Sequence, residues 1–367
     1  MTDPLRTEKT LHEVQVSLQE LEEVLMRIVG GLDIHRQQIT FDWVDQETGE
    51  GKRGRITPAD RAGFRKWLGE FDGDVEVVCE GCTGWRFVAE ECQAAGVKVH
   101  VADPAEVAGR RSRKRRAKTD PIDARQLREL LERGEVPESW IPPQFVLEVR
   151  EQVRLYLDLL ATKQAWEHRI HATLFHHGVP KVDGRLLARG RAERGRDDPD
   201  LSDAGREAID TALRVIAAVD ADLDRVRAEL VAFGRRHPGP RELAHEYGLG
   251  ALLATAVWEE LGDTRRFSSS RHSVRHTGLD VSVYDSDGKQ KGRPTLTRQG
   301  PPALRWALYE GAMHAHKKTS PDHVYYTNLA RRIGAGRARL AVARKLARRC
   351  HHRLRVLGDQ AWIDTAS

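Results

Sequence analysis

The octapeptide Lys118-Thr119-Asp120-Pro121-Ile122-Asp123-Ala124-Arg125 opens a run whose apolar members, Ile122, Leu127, Leu130 and Leu131, recur with helical periodicity. Two aspartates three residues apart on such a helix share one face. Pro121 suits the first helical turn, where a missing N–H costs nothing. Asp120 alone reads equally well as an N-terminal cap and Asp33, further upstream, as a turn former, so the decision rests on what the preceding residues bring to the same place.

Upstream, Ile28-Val29-Gly30-Gly31-Leu32-Asp33-Ile34-His35 predicts a strand carrying Asp33. A second strand is expected from Gln38 to Val44, closed by a turn at Gln46-Glu47-Thr48-Gly49. A helix from Pro58 to Gly69, a strand Val75-Glu76-Val77-Val78-Cys79 delivering Glu80, a helix from Trp85 to Ala95 and a strand from Val97 to Ala102 follow. Alternating strands and helices imply an α/β layer structure. Side chains at strand ends converge on one rim, so Asp33 and Glu80 are expected to meet the Asp120/Asp123 helix. Four gathered carboxylates read as a divalent-metal site of the kind that cuts nucleic acid.

Leu11, Val14, Leu18, Leu21, Leu25 and Ile28 predict a short amphipathic helix before the first strand. Beyond the aspartate helix, the stretches from Leu147 to Phe175 and from Asp203 to Arg235 predict two long helices, an antiparallel hairpin with a polar tip between Gly178 and Pro199. His237-Pro238-Gly239-Pro240 breaks the second helix. Tyr247-Gly248-Leu249-Gly250 then feeds an Ala/Leu-rich helix, and Gly278 to Lys289 reads as a short strand and an exposed turn containing Ser286. The expected organisation is an N-terminal helix (1–27), an α/β domain (28–142), a helical hairpin or coiled coil (143–240) and a mostly α-helical C-terminal domain (241–360).

A chain of 367 residues, 40% of them hydrophobic, suffices for more than one buried core. Its net charge is only +5, but the basic residues are patched. Arg110, Arg111, Arg113, Lys114, Arg115, Arg116 and Lys118 immediately precede the aspartate helix, and ten Arg and Lys lie between Arg331 and Arg355 without an acid. Phosphate backbones are the expected counter-charge, with Arg344, Lys345, Arg348 and Arg349 on a basic helix and Lys289, Arg293 and Arg298 as clamps after Ser286; a solvated basic face is the bland alternative. Cys79, Cys82, Cys92 and Cys350 make no disulfide framework, and Cys79-Glu80-Gly81-Cys82 lacks the second pair a zinc site needs. With no signal peptide or long apolar stretch, a cytoplasmic, nucleoid-associated protein is expected, with no membrane partner. The pairs His176-His177 and His351-His352 lack ligand partners at metal spacing and are expected at the surface or on phosphates.

Two stretches, Lys118 to Ala124 and the run from Gly278-Leu279 through Asp285-Ser286-Asp287-Gly288-Lys289 to Arg298-Gln299-Gly300-Pro301-Pro302-Ala303-Leu304-Arg305-Trp306-Ala307-Leu308, resemble the IS110-family transposases, the DEDD recombinases of insertion sequences. The likeness covers nearly the whole chain. It implies an RNase H-like, RuvC-like domain whose four acids correspond to Asp33, Glu80, Asp120 and Asp123, and a C-terminal transposase domain with a nucleophilic serine. Ser286 matches that serine best; the family pattern has a Ser-Ser pair where Asp285 stands here, and Ser282 is the second candidate. The resemblance further implies Mg²⁺, or Mn²⁺, as cofactor, DNA ends and target as substrates, a structured noncoding guide RNA, and work as a homo-oligomer, dimer or tetramer. Two rival readings remain: a Holliday-junction nuclease in which the same acids activate water, and a non-catalytic nucleic-acid-binding protein relying on the basic patches.

Overall fold

The apolar run singled out above forms β1 (Ile28–Ile34), buried along its length except at Asp33, which is half-buried, as befits a strand with neighbours at both edges and layers on both faces. The computed structural model describes residues 28–71, 73–110, 119–179, 196–282, 285–286, 289–290 and 295–364. The helix expected over residues 11–28 lies outside them, apart from Ile28, which begins β1 instead. Two units divide the chain, Met1–Ile141 and Pro142–Ser367.

In the first unit β1 pairs antiparallel with β2 (Ile39–Asp45), which pairs antiparallel with β3 (Gly51–Ile56). On its other edge β1 runs parallel to β4 (Val75–Glu80), followed by β5 (Lys98–Ala102), giving the order β3-β2-β1-β4-β5. The sequence did not announce β3: Gly-Lys-Arg-Gly-Arg-Ile has one apolar residue, Ile56, and only that one is buried. Pairing with β2 across the turn at Gly49 (φ 72°) makes it a strand. Beyond β5, Ser139 N donates to Val101 O at 2.7 Å, Asp103 N to Pro137 O at 2.8 Å, and Ala102 bridges Glu138, so the chain passes along that edge.

Helices α1 (Arg61–Leu68) and α2 (Trp85–Ala94) cover one face of the sheet, where Phe64, Trp67, Val88 and Cys92 join Leu32, Ile34, Phe41, Val77 and Cys79 in one core. Asp60 caps α1, its carboxylate accepting from Gly63 N at 2.7 Å. The other face carries α3 (Pro104–Arg110), a helix the sequence reading did not anticipate, and α4 (Asp120–Glu132), which bury Val107, Leu127 and Leu130 against Val78 and Ala102. Val77 and Val78 thus serve opposite cores, as strand alternation requires.

The second unit begins with α5 (Gln144–His176) and α6 (Asp203–Arg236). Lys163 meets Asp220 at 2.6 Å and Gln152 meets Glu229 at 3.5 Å, while Ile170 and Leu174 pack with Ile209, Ala212 and Ile216. Partners that run in opposite directions make this an antiparallel hairpin. Helices α7 (Pro238–Leu243), α8 (Ala251–Leu261), α9 (Ser270–His276), α10 (Pro302–Ala312), α11 (His323–Ile333) and α12 (Ala335–Leu357) complete it, with two-residue strands β6 (Val281–Ser282), β7 (Asp285–Ser286), β8 (Lys289–Gln290) and β9 (Thr295–Leu296) between α9 and α10. Trp258 of α8 is fully buried and donates from Nε1 to Ala361 O at 2.9 Å. No described helix is long and apolar enough to cross a membrane.

Candidate functional site

A missing side chain sets the position of the aspartate helix. A Cβ on Gly31 would lie 2.0 Å from Ala124 O and 2.6 Å from Arg128 N, so the α4 backbone rests directly on β1. Arg128 fastens the same helix to β2, donating from Nε to the buried Asp42 at 2.5 Å, while Arg53 holds the second oxygen of Asp42 from β3. Gly31, Asp33 and His35 alternate onto the face that α4 covers. Val78 packs in the core beneath α4, which assigns Glu80, two residues on, to that face too. Leu32 is in register with Cys79, so Asp33 and Glu80 follow at the same level on adjacent parallel strands.

At this rim Asp33 Oδ2 is 3.1 Å from His35 Nε2, which is 3.5 Å from Asp120 Oδ1; one ligand atom from each of these residues lies within 4.8 Å of the others. Gln38 Nε2 donates to the other Asp120 oxygen at 3.2 Å. Asp123, one turn further along α4, is buried. Burial, above all, holds the Asp33 carboxyl above its ordinary value; the charges of Asp120 and Asp123 add to the rise and His35 opposes it. Burial likewise pushes up the Cys82 thiol, and the charges of Asp33 and Glu80 act in the same direction. Cys79 and Cys92 are core residues, and no cysteine joins a ligand cluster among the described residues. Sequence pattern alone assigns His35 no role; its i+2 spacing from Asp33 is the available signal.

Ser286 belongs to the second unit, where β7 pairs antiparallel with β8, Ser286 opposite Lys289. The serine therefore stands in a hairpin strand beside the expected turn, and its side chain, like those of Ser282 and Lys289, lies outside the described residues. The hairpin's base is clamped. Gly278 is left-handed (φ 67°), and a Cβ on Gly300 would fall 2.1 Å from His276 O, so the segment's two ends touch backbone to backbone. Arg305 Nη1 donates to Gly300 O at 2.7 Å, and β6 pairs with β9 just above.

The basic residues divide. Arg111, Arg113, Lys114, Arg115, Arg116, Lys118 and Arg293 lie outside the described residues, while Arg110, Arg298 and Arg348 are exposed. On α12, Lys345 pairs with the buried Asp322 at 2.8 Å, Arg349 with Asp322 at 2.8 Å and with the buried Glu246 at 2.6 Å, and Arg353 with Glu246 at 2.5 Å. Arg344 Nε donates to Leu279 O at 2.7 Å. One row of this helix is thus neutralised within its own unit. His351, expected at the surface, is buried.

Comparison with known proteins gives three matches. A family model described as a transposase, of the IS110 DEDD type, matches residues 30–177, and a second, described as the transposase IS116/IS110/IS902 family, matches residues 241–327. A Sinorhizobium fredii (strain NBRC 101917 / NGR234) protein named "Putative transposase y4rJ" is 31% identical over 242 residues, covering 60% of this chain and 60% of that relative. The matched spans of the two models include all four acids and Ser286.

Proposed function

The chain belongs to the IS110 family of transposases, and from that membership we propose that it is a DNA transposase that cuts and rejoins the ends of an insertion sequence through a serine–DNA ester. The observation that carries this reading is the convergence of Asp33 and Asp120, from β1 and α4, at the strand ends where Glu80 also emerges. The strand order β3-β2-β1-β4-β5, with two antiparallel and two parallel pairings, supports an RNase H-like assignment for this unit.

Carboxylate oxygens are the donors a hard divalent cation such as Mg²⁺ takes, and Asp33, raised first by burial, also feels the charges of Asp120 and Asp123. Asp33, Glu80, Asp120 and Asp123 would hold the ion, which supplies Lewis-acid stabilisation of charge on a scissile phosphate. Gln38 fixes the Asp120 carboxylate, and the α4 backbone seated on Gly31 fixes the spacing of the two layers. Ser286 Oγ attacks the phosphorus, the phosphodiester bond to the departing DNA oxygen breaks, and in the net balance the serine proton ends on the released hydroxyl. Attack by a second DNA hydroxyl on the resulting ester restores the serine, so exchange needs no external energy source. DNA, a structured noncoding RNA and further copies of the chain are the proposed partners, with the basic segment from Arg110 to Lys118 as a phosphate-binding element.

The test incubates purified protein, element-end DNA and candidate RNA with Mg²⁺. Wild type should give a protein–DNA adduct that survives denaturation, together with joined product. Ser286→Ala should lose both while keeping its fold, and Asp120→Asn should lose cleavage. Cleavage by Ser286→Ala at wild-type rate would replace the serine reading with the hydrolytic one.

A further inference from the structure

We propose that His35 is itself a ligand of the cation at this rim and that its imidazole tilts the site toward Mn²⁺ over Mg²⁺. The inference rests on the cation-holding role given above to Asp33 and Asp120. Around an octahedral ion with bonds of ~2.1 Å, adjacent ligand atoms stand ~3.0 Å apart and opposite ones ~4.2 Å. His35 Nε2 lies 3.1 Å from Asp33 Oδ2 and 3.5 Å from Asp120 Oδ1. Those are the spacings of neighbouring ligands. The histidine thus stands at neighbouring-ligand distance from both carboxylates, and one ligand atom from each of the three residues lies within 4.8 Å of the others, close enough to share one ion.

Two further features fit this role. Gln38 occupies the second oxygen of Asp120, leaving Oδ1 turned to the histidine, the kind of outer contact that orients a ligating carboxylate. The His35 side chain is 52% exposed, so the ring has room to turn its nitrogen lone pair inward without disturbing a core. Carboxylate and water ligands alone suit Mg²⁺; an imidazole nitrogen adds affinity for first-row transition ions and little for magnesium. A site mixing these donors discriminates where an all-carboxylate site would not.

Mn²⁺ titration of the full-length protein, followed by the electron paramagnetic resonance of the free ion, gives affinity, and pulsed measurements on the bound ion report coupling to an imidazole nitrogen. Wild type should show that coupling. His35→Ala should lose it and bind Mn²⁺ on the order of tenfold more weakly, while Mg²⁺, measured by competition, changes less than about threefold. His35→Asn, a polar replacement at an exposed position, should behave likewise, with circular dichroism confirming the fold of both variants. Mn²⁺ that binds in an Asp120-dependent way, yet without nitrogen coupling or without loss in His35→Ala, overturns the histidine assignment and leaves the carboxylate site standing. Binding unchanged in Asp120→Asn, or no binding by wild type, overturns the carboxylate site and the histidine assignment together.

Discussion

Replacing Gly31 by alanine probes the contact on which the acid constellation depends. The new methyl group would sit 2.0 Å from Ala124 O, whereas real Cβ atoms essentially never come within 3.0 Å of such a neighbour. Helix α4 must therefore retreat by at least about 1 Å, a lower bound drawn from that same contact. The obstruction is backbone, so no rotamer change relieves it. Overpacking of this kind costs about 1–3 kcal/mol, and the Arg128–Asp42 ion pair that ties α4 to β2 is stretched by the same movement. Asp120 and Asp123 travel with the helix while Asp33 stays on the strand. Misplacing catalytic groups by about 1 Å lowers rate by roughly 10²-fold. Denaturant unfolding should show a lower midpoint, and DNA joining in the presence of Mg²⁺ should fall by about that factor. Gly31→Ala with wild-type midpoint and wild-type joining would refute the claim that direct helix-on-strand contact sets the site.

Two other outcomes concern the frame of each unit. Arg150 donates to the carbonyl of Glu259 at 2.7 Å and to its side chain at 3.0 Å, and the Glu259 carboxyl is fully buried, its proton affinity raised by burial and by Glu260. Arg150→Ala should destabilise the protein by about 1–3 kcal/mol in denaturant unfolding, because it takes the donor from the buried Glu259 carbonyl and carboxyl; an unchanged midpoint would refute this. In the first unit, hydrogen bonds from Arg65 and Arg61 hold Glu91 at about 2, against an ordinary 4.5. A depressed carboxylate stabilises the fold above its unfolded value and loses that contribution as pH falls toward its folded one. Unfolding midpoints measured between pH 5 and pH 2.5 should therefore drop more steeply for wild type than for Glu91→Gln, and equal slopes would remove Glu91 from the account.

Patterns complete within a few residues were legible in the sequence. β1 and β4 are apolar runs ending in an acid, and α4 announces itself through Pro121 and two aspartates a turn apart, so the meeting of Asp33 with Asp120 followed from strand ends sharing a rim. β3 escaped because its residues take their conformation from the ladder with β2 rather than from any alternation of their own. The pairings of the basic helix α12 were hidden for a related reason. No acid interrupts it in sequence, yet Glu242, Glu246 and Asp322 reach Lys345, Arg349 and Arg353 from other elements of the fold. His35 carried a signal, its spacing from Asp33, but an imidazole beside a strand end has many uses until a second carboxylate is seen across from it.

The two borders of the five-stranded sheet are finished differently. Along β5 the chain itself lies against the strand, through Val101, Ala102 and Asp103. Along β3 no described strand pairs with the outer edge, and the side chains of the strand include Lys52, Arg53 and Arg55. Arg53 is engaged with Asp42, but a second copy approaching edge to edge would still bring Lys52 and Arg55 near their counterparts, and like charges opposed across a ladder repel. Intermolecular sheet growth, the usual hazard of an edge strand, is thereby discouraged at the border where no described strand pairs, by the same unpromising composition that hid this strand from view.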